Sequence, residues 1–264
     1  MGTIGTFGGD TGMAVQQVRL DTENAIDGRQ LRALAFQEVR LEYVQRTLGL
    51  LGLSAGGRAV VVGSGRGTLA RALGGLGFEV DAVDPSAAAT ALAEAADDGS
   101  VARYRTAPPD ELGVPDGSAD LVYCADTFEI TDDLDAVLHE VARALRPGGV
   151  LVYDTVTRTV VSRLVYLGGF QGIPATRIMP PGRYSAARLR PPEELVPALA
   201  RYGLVSGDLC SFEPQSRRAL VSAVLARRRG QITDADVPSA LRFELAPGHR
   251  PVVTYLGFAR KPAS

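Results

Sequence analysis

Cysteine is scarce in this chain, lysine scarcer, and an apolar run long enough to cross a bilayer is missing altogether. Two cysteines among 264 residues, Cys124 and Cys210, make no disulfide framework and stand at no metal-binding spacing. They read as reduced thiols, which predicts a cytoplasmic protein. No stretch approaches the roughly 20 apolar residues of a membrane helix, and no charged-then-apolar signal opens the sequence. Membrane insertion is therefore not expected. The start Met1-Gly2-Thr3-Ile4-Gly5-Thr6 fits a myristoylation pattern but reads more simply as a Gly-rich leader. A basic excess is lacking too: Lys and Arg total 28 against 30 Asp and Glu, for a net charge of −2. That argues against a nucleic-acid partner, which favours a basic face. The one concentrated positive run, Arg227-Arg228-Arg229, has no interleaved aromatics and reads as a solvated helix end. Lys261 is the sole lysine beside 27 arginines, a bias typical of a GC-rich bacterial genome.

What is present is an ordinary globular balance, 45% hydrophobic and 22% charged, long enough for one α/β core with an appended or inserted cap. The informative segment is Ala59-Val60-Val61-Val62-Gly63-Ser64-Gly65-Arg66-Gly67-Thr68, followed by Val80-Asp81-Ala82-Val83-Asp84. An apolar strand feeds a G-x-G-x-G turn, a helix follows, and an acid closes the next strand. Gly63 and Gly65 let backbone approach a ligand closely, and the helix opening near Gly67 offers unpaired N–H groups. Asp84 stands where a carboxylate accepts hydrogen bonds from ribose hydroxyls. The site is that of a nucleoside-bearing cofactor. A dinucleotide site wants G-x-G-x-x-G/A, whereas the third glycine here, Gly67, comes one residue early.

Elements alternate along the chain. Apolar residues recur at helical spacing over Arg29–Leu48. Strands are expected over 58–62, 78–83, 101–105, 119–124 and 149–156, with helices over 67–75, 86–97 and 133–145 between them. This regularity implies a parallel sheet covered on both faces. Residues 158–190 break the pattern and read as an inserted cap. Pro191-Pro192-Glu193-Glu194 opens a helix through Tyr202, with proline in the first turn and carboxylates at its positive end. A strand over 204–212, an extra helix over 215–230 and a last strand over 252–259 complete the chain. The domain reading is a flexible leader over 1–28 and one domain over 29–264, with the cap at 158–190 and an extra segment at 215–250.

The G-x-G-x-G turn, the strand Asp120–Asp126 and the helix, P-G-G turn and strand over Val141–Val152 together resemble the class I S-adenosylmethionine (SAM) methyltransferases. Further pieces narrow the likeness: Arg40-Leu41-Glu42-Tyr43-Val44, Thr157-Arg158-Thr159, Ser162-Arg163-Leu164, Pro180-Pro181-Gly182, Arg190–Leu195 and Thr254–Pro262. These are similar to the ubiquinone-biosynthesis O-methyltransferase family over about 38–212 and 252–262. The resemblance implies a doubly wound, Rossmann-like α/β fold with a seven-stranded sheet, mostly parallel, its last strand antiparallel. It implies SAM as cofactor and methylation of a catechol-type hydroxyl on a prenylated ring. Arg40 would bind the methionine carboxylate. Gly63, Ser64, Gly65 and Gly67 would form the turn beneath it, and Asp84, followed by Pro85, would hold the ribose. Thr106 and Ala107 would line the adenine, and Cys124 and Ala125 the methionine portion.

The departures from the family matter as much. In Asp126-Thr127-Phe128-Glu129-Ile130, two acids remain but Ile130 replaces the family's histidine. Asp126 and Glu129 are candidate metal ligands, since two carboxylates and waters suit a hard cation such as Mg²⁺. Their alternative is capping of the helix beginning near Asp132, a role that Asp132 or Thr131 fits better. Tyr184-Ser185-Ala186 replaces a family His-Asp-Trp, so a changed acceptor is expected in place of a ubiquinone precursor. Methyl transfer from a sulfonium is an in-line displacement, mainly a positioning problem, and a phenol also gains from a base. The candidates for catalysis are His249, Asp126, Glu129 and Tyr184, while His139 reads as an exposed or half-buried helix residue. Leu164, Val165, Tyr166, Leu167, Phe170 and Ile173 would form a lid over a lipophilic acceptor or pack the cap.

The expected function is SAM-dependent methylation of a hydroxyl on a small aromatic or polyketide-like natural product, as in antibiotic biosynthesis. The alternatives are N- or C-methylation, or a SAM fold turned to cyclisation or decarboxylation. The expected partner is a small-molecule acceptor. Pairing of two copies as a homodimer is one role open to residues 215–250; completing the acceptor pocket and covering the sheet edge are the others.

Overall fold

The computed structural model describes residues 26–97, 99 and 102–263. The leader through residue 25 and the first residue of the strand expected at 101 lie outside the described residues. A 25-residue helix, α1 (Asp27–Leu51), precedes the sheet. It ends because Gly52 adopts a left-handed conformation (φ 63°) and its N–H turns back to the carbonyls of Leu48 and Gly49. Then β1 (Arg58–Val62), α2 (Thr68–Gly75), β2 (Glu79–Asp84), α3 (Ala87–Ala95), β3 (Ala102–Thr106), β4 (Ala119–Cys124), α4 (Leu134–Ala144) and β5 (Leu145–Val156) follow in order. The βα units close as expected, because β1 and β4 are buried on both faces and need helices on each side.

The sheet order is β3-β2-β1-β4-β5-β8-β6-β7, with β6 (Val205–Pro214), β7 (Phe243–Pro247) and β8 (Thr254–Arg260). Strands β1 to β5 are parallel. As expected, β8 inserts antiparallel between its neighbours β5 and β6. The sheet has eight strands rather than seven, because Phe243–Pro247 from the extra segment adds to the free edge of β6. An unpaired edge of a sheet is open to such addition. The P-G-G turn also differs from expectation. β5 already pairs with β4 at Leu145, and the register then shifts before Leu121 meets Val150, so Arg146–Gly149 bulge out of a continuing strand.

Between β5 and β6 lie a four-residue helix, α5 (Val160–Arg163), a π-helix (Leu164–Phe170) and α6 (Pro192–Arg201). Thr159 and Ser162 cap α5 reciprocally. Within the extra segment stand α7 (Arg217–Arg228) and the short α8 (Val237–Ala240). The run at 227–229 is not a solvated end throughout. Arg227 is buried against Asp234 at 2.8 Å, and Arg228 donates to the Arg177 carbonyl. The cap of α4 is Asp133, which accepts from Ala136 N–H, rather than Asp132 or Thr131. That leaves Asp126 and Glu129 without a capping role. Among the described residues no helix is long and apolar enough to cross a membrane.

The extra segment is anchored on α1 by aromatic packing. Phe36 meets Phe212 and Phe243 edge to face, with ring centroids 4.9 and 4.7 Å away. Truncating Phe36 deletes both contacts and leaves a cavity. Phe36→Ala is expected to cost about 3–5 kcal/mol of unfolding free energy in urea titration. A loss below about 1 kcal/mol would show that β7 and α1 are not packed this way.

Candidate active site

The carboxyl ends of β1, β2 and β4 converge on a pocket of about 270 Å³. In parallel sheets ligands bind at this edge, where the strand order reverses. The glycine turn forms its floor. A Cβ at Gly63 (φ 75°) would come within 2.4 Å of the Ala125 carbonyl, so only glycine permits β1 and β4 to close there. A Cβ at Gly65 would meet nothing within 4 Å, which marks open space above the turn. Gly67 (φ 72°) caps α2, and a side chain there would collide with the Tyr104 ring.

Of the residues expected at the cofactor, Arg40, Gly63, Ser64, Gly65, Pro85 and Ala125 line this pocket. Asp84 lies directly beneath, fully buried, with one carboxylate oxygen accepting from Gly65 N–H (2.9 Å) and the other from Ser86 N–H (2.9 Å). Thr106, Ala107 and Cys124 do not line this pocket. The Thr106 hydroxyl is bonded to that of Thr90, Ala107 N–H caps the Asp84 carbonyl, and Cys124 is sealed inside β4.

Three arginines of α1 reach over this edge, and two of them were not anticipated. Arg29 forks onto both oxygens of Asp84, one contact at 3.1 Å. Arg32, with its side chain 5% exposed, pairs with Asp126 at 2.6 Å and Glu129 at 3.5 Å, and donates to the Tyr184 hydroxyl. Its guanidinium lies over the rings of Tyr166 (5.0 Å), Phe36 (5.4 Å) and Tyr184 (5.7 Å). Arg40 binds Asp154 at 2.7 Å and Asp126 at 3.0 Å. The sequence signal for this stripe is the spacing 29, 32, 40, which puts all three on one side of a helix. Nothing local shows that the side is buried against acids.

The charges respond to this enclosure. Burial opposes the charge on Asp126, yet Arg32 and Arg40 outweigh it and hold the carboxyl well below its usual range. Burial, with Asp126 beside it, raises Glu129. The same two causes push Asp154 up to about 7, against the pull of Arg40. Asp126 also has a left-handed backbone (φ 49°), the one non-glycine residue so placed among those described. Such strain persists where surroundings over-determine it.

Asp126, Glu129 and Tyr184 are thus brought together around one guanidinium. The arrangement does not fit a divalent cation, because Arg32 already sits between the two carboxylates. Among the described residues no cluster of three metal-type side chains occurs. His249 is not brought to the site. It is an exposed residue in the turn after β7, tied by its backbone to Ala246 and Ser211. His139 is exposed on α4, with its ring 6.3 Å from Tyr202.

The comparisons agree with this geometry. A family model described as a methyltransferase domain matches residues 60–153. The ubiquinone biosynthesis O-methyltransferase of Xanthomonas euvesicatoria pv. vesicatoria is 33% identical over 204 residues, covering 75% of this chain and 82% of the relative. Phosphoethanolamine N-methyltransferase 2 of Haemonchus contortus, solved with S-adenosylhomocysteine, matches with TM-score 0.56 at 17% identity, over 88% of this chain and 56% of that one. A structure described for the conversion of a disulfide bond into a thioacetal group during echinomycin biosynthesis matches with TM-score 0.54 at 22% identity, over 83% and 81%. The last two show the fold. The chain belongs to the class I SAM-dependent methyltransferases and is similar to their ubiquinone-biosynthesis O-methyltransferase members.

SAM is accordingly the cofactor, and the open space above Gly65 fits it. Ribose hydroxyls that reach Asp84 must displace Arg29, since both carboxylate oxygens are already occupied. Arg29→Met is therefore expected to tighten SAM binding several-fold in calorimetric titration, because the competitor is gone. Weaker binding in that variant would contradict the displacement and make Arg29 a cofactor ligand.

Proposed function

We propose that this methyltransferase acts on a hydroxyl of a small aromatic or polyketide-like natural product, with Glu129 as the base. The observation that carries the reading is the state of Glu129. Its carboxyl is fully buried, one oxygen accepts from the Thr155 hydroxyl at 3.0 Å, and the other, Oε1, has no hydrogen bond and only the Arg32 guanidinium, at 3.5 Å, opposite it. A buried carboxylate oxygen without a hydrogen bond is costly, and a hydroxyl proton arriving there lowers that cost. Its raised proton affinity also makes Glu129 a stronger base than an exposed carboxylate, nearer to a phenol of pKa about 10.

When bound, SAM supplies an electrophilic methyl on a positively charged sulfur. The chain's own residues do the rest. Arg40 and the glycine turn hold the cofactor's methionine end, and Asp126 keeps a permanent negative charge at the pocket wall. Tyr184 is fixed by a two-way backbone bond with the Gln171 side chain (2.8 and 2.9 Å), so its hydroxyl is pre-placed beside Arg32. The acceptor oxygen would receive the methyl, with the neutral thioether as leaving group, and Glu129 would take the hydroxyl proton released. Fixed groups of this kind accelerate mainly by positioning.

Support for a natural-product acceptor comes from the replacements at Ile130 and Tyr184, from the arginine-rich composition, and from the use of this fold in echinomycin biosynthesis. The test is turnover to S-adenosylhomocysteine across a panel of phenolic acceptors. Glu129→Gln is expected to lower kcat by about 100-fold or more while SAM affinity stays within about threefold. Unchanged turnover in that variant would remove Glu129 from the chemistry.

A further inference from the structure

The pocket beside the glycine turn, about 270 Å³, falls at the low end of ligand pockets, which span roughly 300–1,000 Å³. An acceptor needs space beyond the cofactor's own. A second cavity, about 320 Å³, adjoins it across α1. Leu31, Arg32, Ala35 and Phe36 face this second space, whereas Arg29, Gln30, Ala33 and Arg40 face the first. One helix therefore walls both, and Arg32 is the partition: it lines the second cavity while bonded to Asp126, which lines the first.

The far wall comes from the extra segment, through Arg217, Leu220, Val221 and Val224 of α7 with Leu241 and Phe243. Its chemistry is almost wholly apolar. Ser211 and Thr254 are spent internally, donating to the His249 and Phe212 carbonyls, and the charged lining residues Glu213 and Arg217 are half-buried and exposed. Among the lining side chains one buried polar atom lacks a partner, Arg32 Nε. The outer end is open, since the lining residues Val161, Val221 and Val252 are 45, 55 and 44% exposed.

We infer that this cavity is the acceptor chamber, and that residues 217–243 exist in this chain to build it. It takes a compact apolar molecule whose oxygen enters last and meets Arg32 at the inner end, next to Tyr184 and Glu129. The inference rests on the proposed methylation of a hydroxyl, and it adds where the acceptor sits and what admits it. Arg32 acts here as a positioning residue, supplying a donor to the acceptor oxygen at the wall between the two cavities. An apolar body is selected because the buried part of the chamber offers no other unpartnered polar atom, and a polar body would be stranded there without partners.

The neutral dye N-phenyl-1-naphthylamine, which brightens in apolar surroundings, reports occupancy directly, and the protein's lack of tryptophan leaves the signal clear. Saturable binding to the wild type is expected. Leu220→Trp and, separately, Val221→Trp should weaken it at least tenfold while SAM titration and the thermal midpoint stay unchanged. Val221 is exposed, so its variant is expected to fold even where a bulkier residue at 220 does not. No saturable binding to the wild type, or undiminished binding in both variants, would overturn the chamber. Turnover of phenols measured on the same samples separates the two claims. A wild type that binds the dye but methylates no phenol sinks the hydroxyl reading and leaves the chamber standing. Phenol turnover undiminished in Leu220→Trp does the reverse.

Discussion

A single stripe of arginines on α1 neutralises the carboxylates at the ligand-binding edge of the sheet, and the site depends on it. Arg29 meets Asp84 at the end of β2, Arg32 meets Asp126 and Glu129 beyond β4, and Arg40 meets Asp154 on β5. Eleven residues of helix span about 16 Å, enough to bridge from β2 to β5. Buried charges are tolerated only in pairs, so the helix position and the acid positions fix one another. The helix that precedes the sheet in sequence thereby walls both the glycine-turn pocket and the second cavity.

The same pairing explains why the two carboxyls nearest the chemistry behave differently. Asp126 touches two guanidinium groups and stays charged, while Glu129 is farther from Arg32 and its proton affinity rises with burial. Two acids three residues apart thus come to differ in proton affinity through their surroundings alone. It also accounts for the absence of a cation's place between them, which Arg32 fills. The loss of the family's histidine at Ile130 fits a site organised around a guanidinium.

Much of the core was legible from the sequence because its signals are local. The strand–glycine–helix run, the acid at Asp84 and the alternation through β5 follow from backbone sterics and hydrophobic period, and the structure places them accordingly. The family likeness pointed to Arg40, which stands at the pocket, and supplied the antiparallel last strand. What escaped was non-local. Arg29 and Arg32 look like solvated helix arginines until their acidic partners, 55 and 94 residues away, are folded beside them. Strand β7 was hidden because Phe243–Pro247 is short, ends in proline, and becomes a strand only against the edge of β6. His249 stood out by its chemistry but sits on an exposed turn, since a histidine's usefulness says nothing of where a loop carries it. The P-G-G segment read as a turn and proved to be a bulge within a strand, because pairing with β4 resumes on both sides of it.

We propose that cofactor enters the glycine-turn pocket by releasing the first turn of α1 from Asp84. Peptide-resolved amide hydrogen exchange with and without saturating S-adenosylhomocysteine tests it most directly. Slower exchange is expected over 63–68, 84–86 and 125–127 and, in the same experiment, altered exchange over 27–33 as Arg29 gives up its carboxylate. Protection of the three loop segments with α1 unchanged would contradict the displacement, and no change at any of them would contradict the site itself.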